Sequence, residues 1–146
     1  MDIVLNNKVL IVPAIAWCVA QILKVIISLV RDRKLNLTYL FDMGRMPSAH
    51  ATVVSSLATV VAKVNGVGSA LFAITVFLAL IVMYDAAGVR QTVSTQSVIL
   101  NRMLDELFKG NTVFEQRLRE FIGHTKLEVV AGAFIGVLLG WLLAWR

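Results

Sequence analysis

From Val9 to Val30 the chain runs for 22 residues with a single charge, Lys24, set in it. Three further apolar stretches follow, from Pro47 to Val64, Gly68 to Tyr84 and Leu127 to Trp145. A bilayer-spanning helix needs about 17 to 25 residues, so the first and last stretches qualify easily and the middle two are short. Short spans fit when they tilt little, or when their ends sit in a polar pocket rather than in lipid. The pattern predicts an all-α fold: an integral membrane bundle of four transmembrane helices over a single domain, residues 1–146. Composition agrees, with 58% hydrophobic and 16% charged residues, against about 25% charged in an ordinary soluble domain. The first stretch is too long for the apolar core of a signal peptide, and no small-residue cleavage site precedes the next charges. One cysteine, Cys18, excludes an internal disulfide and a multi-cysteine zinc site.

Flanking charges set the expected orientation. Ten of the fourteen basic residues lie after the first or the third stretch: Arg31, Arg33, Lys34, Arg45, Arg90, Arg102, Lys109, Arg117, Arg119 and Lys126. Lys8, Lys63 and Arg146 fall on the other side. The positive-inside rule then puts both long connections in the cytoplasm and both termini outside, in the cell (inner or plasma) membrane. The connection 85–126 is too polar to span. Within it Leu100, Leu104, Leu107 and Phe108 share a helical face, as do Phe114, Leu118, Phe121 and Ile122. These read as two short amphipathic helices, joined at Gly110-Asn111, on the bilayer surface or under the bundle. Gly132, Gly136 and Gly140, four residues apart, make a smooth groove for close helix approach, inside one bundle or between two copies of the chain. The net charge of +5 points to an anionic bilayer surface or a phosphate-bearing ligand before nucleic acid.

The informative polar residues are those a bilayer rejects. Lys24 lies about two turns inside the first stretch, and Arg31 shares its face seven residues on, about 10 Å along the axis. Snorkelling to the interface is the plain alternative, yet intramembrane lysines usually face a cavity or a partner. Arg45-Met46-Pro47-Ser48-Ala49-His50 opens the second stretch. Proline suits a first helical turn, where the amides of Ser48, Ala49 and His50, with Arg45 near, form an anion site. Ordinary helix initiation, with His50 a bystander, is the competing reading. At the last stretch His124 and Glu128 are four residues apart, so the carboxylate can fix the imidazole tautomer. Thr125-x-x-Glu128 is equally a capping box. Tyr84, Asp85 and Arg90 end the third stretch, either as a membrane-border aromatic with a solvated acid and base or as neighbours of the other features. All these converge on the cytoplasmic face. Two histidines within a cationic cradle suit phosphoryl transfer, one attacking phosphorus and one protonating the leaving oxygen. The scattered carboxylates lack a metal-ligand spacing, and no metal or other cofactor is expected.

These runs resemble the divergent branch of the type 2 phosphatidic acid phosphatase superfamily, which is related to vanadium haloperoxidases. The superfamily pattern is Lys-x6-Arg-Pro, Pro-Ser-Gly-His and Ser-Arg-x5-His-x3-Asp. Lys24-x6-Arg31 fits the first block, with Asp32 for its proline; Pro47-Ser48-Ala49-His50 fits the second, with alanine for glycine. His124-x3-Glu128 fits the end of the third, and Leu118 stands where its arginine would be. The divergent branch is similar in more detail over Gly44 to His50, Tyr84 to Arg90 and Gly123 to Val129. The resemblance implies a helical bundle acting without a metal. It implies His124 as nucleophile through a phosphohistidine, Glu128 orienting it, and His50 as general acid and then base. Lys24, Arg31 and Ser48 would bind phosphate; Arg90 is the choice for the missing arginine, with Arg117 and Arg119 as rivals. Arg45 would also bind phosphate, and Asp85 would support the site. The function so implied is a lipid-phosphate phosphatase acting on a phospholipid or polyprenyl phosphate. Its alternative is a non-catalytic membrane protein that binds, carries or scaffolds around an anion, and a vanadate haloperoxidase ranks third.

Overall fold

The computed structural model describes residues 7–32, 46–107 and 125–144. Among them are five helices and no strand: α1 (Lys8–Asp32), α2 (Ala49–Asn65), α3 (Ala70–Ala87), α4 (Val89–Leu107) and α5 (Lys126–Leu143). Three of these, α1, α3 and α5, are long and apolar enough to cross a membrane. The expected second span corresponds to α2, a 17-residue helix that falls outside that set.

Helix α2 is nonetheless the centre of the molecule. It packs most extensively on α5, and also on α1 and α3. Small side chains make this possible, since Ala49, Ala51, Thr52, Val54, Ser55 and Ser56 are all buried along it. The glycines of α5 lie directly on it. A Cβ at Gly132 would collide with the Ser48 carbonyl, one at Gly136 with the Thr52 carbonyl, and one at Gly140 would come within 2.8 Å of Thr59 Cβ. The glycine stripe is therefore consumed inside one chain, where it lets two parallel backbones touch.

The register follows from the same contacts. Val12 of α1, Val60 of α2 and Ala144, just past α5, form one small core at one end of the bundle. Ala51, Ala86 and Val129 form a second near the other end. Helices α2 and α5 thus run parallel, with α1 and α3 antiparallel to them. Along α1 the buried residues Val12, Ala16, Ala20, Lys24 and Ser28 form a single ridge at four-residue spacing.

Local signals explain the boundaries. Gly66, at φ 85°, stops α2 in a backbone conformation open to glycine. Ser69 then caps α3 by accepting from Phe72 N–H at 3.2 Å, so α2 and α3 form a helical hairpin. Ser48, not Pro47, is the junction residue of α2: its hydroxyl accepts from Ala51 N–H at 3.4 Å. Pro47 therefore precedes the helix instead of opening its first turn, which corrects the sequence expectation. The third helix extends through Asp85 to Ala87, past the expected end at Tyr84.

The polar connection also differs from expectation. In place of a short helix near residues 100–108, α4 is one 19-residue helix starting immediately after Gly88. Gly88 N–H closes α3 on the Tyr84 carbonyl at 2.9 Å, and the Gly88 carbonyl accepts from Thr92 N–H at 3.1 Å. No glycine or proline interrupts Val89–Leu107, so helix propagates once nucleated. The expected Gly110-Asn111 turn and second amphipathic helix lie outside the described residues.

Candidate functional site

Helix rise places the polar residues on a common level. Twelve residues from the Val12–Val60–Ala144 core, about 18 Å along each axis, stand Lys24 on α1, Ser48 at the start of α2 and Gly132 on α5. Lys24 is only 3% exposed, and Ser28, one turn further, is equally buried. A charge so enclosed between apolar helices is costly, and membrane helices keep such residues facing a cavity or a partner.

The beginnings of α2 and α5 are bonded to each other. Ser48 N–H donates to the Glu128 carbonyl at 3.1 Å. The Thr52 hydroxyl, a single donor, lies 2.9 Å from the Ser48 carbonyl and 3.0 Å from the Gly132 carbonyl. Two parallel helix N-termini are therefore held side by side, and their dipoles add to one positive field. A paired helix start of this kind favours an anion, and Lys24 stands at the same level of the bundle. The amide of Ser48 is already engaged, so the set of anion-facing amides is smaller than the sequence predicts.

Glu128 serves the helix cap. Its carboxylate accepts from Thr125 N–H at 2.9 Å, and the Thr125 hydroxyl accepts from Glu128 N–H at 3.4 Å. The capping box read from Thr125-x-x-Glu128 is complete. His50 sits in the first turn of α2 and is exposed. Asp85 is half-buried in the last turn of α3, beside the Ala51–Ala86–Val129 core, and Tyr84 is 77% exposed. The structure thus brings Lys24, Ser48, His50, Asp85 and Glu128 to one end of the bundle. Arg31 lies in the last turn of α1 and Arg90 in the first turn of α4, at that same end by chain position. Arg45 and His124 lie outside the described residues, as do the rival arginines Arg117 and Arg119. Among the described residues no group of three His, Cys, Asp or Glu stands close enough to hold a metal ion.

Outside α2, two buried polar residues escape the sequence reading. Ser28 looks like a mere interruption of an apolar run, and only its place on the four-residue ridge with Lys24 marks it. Asn101 of α4 is 7% exposed, and nothing in the apolar pattern of its segment singles it out.

The chain matches the model of the divergent PAP2 family over residues 5–139. It is similar to the uncharacterized membrane protein YuiD of Bacillus subtilis (strain 168), 32% identical over 152 aligned positions that cover 97% of this chain and 96% of the relative. No solved structure matches it. With three helices able to cross a bilayer, a membrane-protein relative along its whole length and a family match over nearly all its residues, the chain is a membrane protein that belongs to the divergent PAP2 family.

Proposed function

We propose that this protein is a metal-independent lipid-phosphate phosphatase of the cell membrane, with its site toward the cytoplasm. The observation that carries the reading is the burial of Lys24 at the level of the paired starts of α2 and α5. A fixed cation beside two helix dipoles offers charge stabilisation where a phosphoryl group develops negative charge. His124 and His50 supply the chemistry. A ring nitrogen of His124 attacks phosphorus while the P–O bond to the lipid breaks, and His50 gives its proton to the departing oxygen. Water then attacks the phosphohistidine, His50 takes the proton, and inorganic phosphate leaves. Arg31, Arg45 and Arg90 complete the phosphate cradle with Ser48, Glu128 orients His124 in addition to capping α5, and Asp85 lends support.

Helix α2 is read as the fourth span. Its 17 residues cover about 25 Å, and α1, α3 and α5 enclose its hydroxyl groups. With both termini outside, a substrate phosphomonoester or diphosphate reaches the site laterally from the inner leaflet. The test is phosphate release from phosphatidate, phosphatidylglycerophosphate and a polyprenyl diphosphate by purified protein, beside His124→Ala. Release by the wild type alone is the expected result. Equal background in both, with phospholipid still bound, assigns the fold to anion binding without turnover.

A further inference from the structure

Helix α4 is divided lengthwise into three faces. Asn101 is 7% exposed, and Ser97 and Leu104 beside it are half-buried, so one face is covered by the chain. Thr92, Thr95, Arg102 and Glu106 are exposed and recur at helical steps, which sets them on a second, polar face. Val93, Leu100, Met103 and Leu107 recur in the same way, are 44–77% exposed, and form a third face that is apolar. The first face belongs to the protein and the second to water. The third has no partner among the described helices, of which α4 packs on α3 alone.

Position decides what covers it. Helix α3 is able to cross a membrane, and its 18 residues rise about 27 Å, close to a hydrocarbon core of about 30 Å. Its end therefore lies at the bilayer edge, and only Gly88 separates it from α4. Gly88, at φ −109° and ψ −72°, leaves ideal helix geometry, so the two axes part there. A helix of 19 residues tethered at that point lies against the headgroups, and the nearest apolar cover for its third face is lipid. A second copy of the chain suits the face less well. The span 93–107 amounts to about two heptads with Gln96 in the seam, where a coiled coil sustains about three or four with charged flanks. The flanks here include Ser97, Ile99 and Leu104.

We infer that α4 is an interfacial helix of the same bilayer, lying along the headgroup layer with Val93, Leu100, Met103 and Leu107 among the upper acyl chains. Its charges balance, Arg90 and Arg102 against Asp105 and Glu106, and the rest of its polar face is hydroxyl and amide. Insertion of apolar side chains, not attraction to anionic lipid, therefore holds it. Lying so, the helix keeps its first turn, which includes Arg90, at the depth of lipid phosphates. Anchoring is a property of α4 itself and stands whether or not the bundle turns a substrate over.

The test uses the full chain in a Cys18→Ser background, reconstituted in phosphatidylcholine vesicles, with a nitroxide on single cysteines replacing Leu100, Met103, Thr95 or Arg102. Power saturation with oxygen and with a water-soluble nickel chelate reads the depth of each label. The expected result is immersion by about 5–10 Å at Leu100→Cys and Met103→Cys, with free access of the chelate at Thr95→Cys and Arg102→Cys. The same depths should hold when phosphatidylglycerol is added and when salt is raised. Chelate access at every position puts the apolar face in water and overturns the inference. Exclusion of both reagents from Leu100→Cys and Met103→Cys also overturns it, since protein would then cover the face; dipolar broadening between labels would identify that protein as a second copy. Immersion that needs anionic lipid overturns insertion as the holding force. Leu107→Asp, at a position 77% exposed and so outside any packed core, should let the chelate reach Leu100→Cys. Unchanged depth in that variant would mean that the apolar face does not anchor the helix.

Discussion

Lys24 is a basic residue set in an otherwise small and apolar ridge, between Ala20 and Ser28, and a lysine within a span is expected to face a cavity or a partner. Lys24→Met keeps length and volume while deleting the ammonium. The expected outcome is a folded protein whose affinity for inorganic phosphate, read by calorimetry in detergent, falls about tenfold or more; unchanged affinity would remove Lys24 from the site. Glu128 poses a different question, because one carboxylate is asked to cap α5 and to orient an imidazole. Glutamine can serve a capping box as glutamate does, but it cannot stabilise an imidazolium. Glu128→Gln should therefore melt close to the wild type and lose phosphate release by about 100-fold or more. Glu128→Ala should lose release and about 1 kcal/mol of stability as well. Full turnover in Glu128→Gln confines the residue to the cap.

At the scale of elements, the α2–α5 pair decides whether the bundle closes. The Gly136 Cα faces the Thr52 carbonyl, where close backbone approach also permits Cα–H···O contact. Gly136→Ala forces the two helices apart, and a loss of about 1–3 kcal/mol is expected from overpacking, visible as a lower Tm in detergent. Gly68→Ala is the control, since nothing lies within 4 Å of a Cβ there. Equal melting of the two variants would mean that the glycine stripe carries no packing load. The stripe was legible in the sequence as a close-approach device, but its partner was not. Spacing on one helix says nothing of which neighbour supplies Ser48, Thr52 and Ser56. The start of α2 was misplaced for a related reason: Pro47 and Ser48 both mark helix starts, and only the Ser48–Ala51 bond shows which one caps. The second half of α4 was expected from Leu100, Leu104 and Leu107, and the first half was not, because Val89–Gln96 mixes valine with threonine, serine and glutamine and carries no large apolar side chain to mark a face. His50 and Lys24 could be found because charged and ionisable residues are rare in apolar stretches. Ser28 and Asn101 could not, since neutral polar residues are common there.

For the molecule as a whole, the arrangement of ends is a statement about sidedness. Parallel α2 and α5, with α1 and α3 reversed, put the close of α1, the starts of α2 and α5 and the close of α3 together, while the α2–α3 turn lies at the far end. At that far end Lys63 donates to the Trp141 carbonyl at 2.7 Å and sits 5.1 Å over the Trp141 ring, tying a basic residue to an interfacial aromatic. The excess of basic residues at the site end, set against Lys8, Lys63 and Arg146 elsewhere, predicts that the site end faces the cytoplasm. A Cys18→Ser background, with single cysteines at Val67 in the far turn or at Thr95 on α4, reads this out with a membrane-impermeant maleimide on intact cells. Both positions are exposed, so access is decided by the membrane and not by the fold. Val67→Cys should label from outside, and Thr95→Cys only after permeabilisation. The reverse pattern would invert the bundle and move the lipid-phosphate chemistry to the outer leaflet. Labelling of both from the same side would mean that α3 does not cross, since α3 is the helix that separates the two positions.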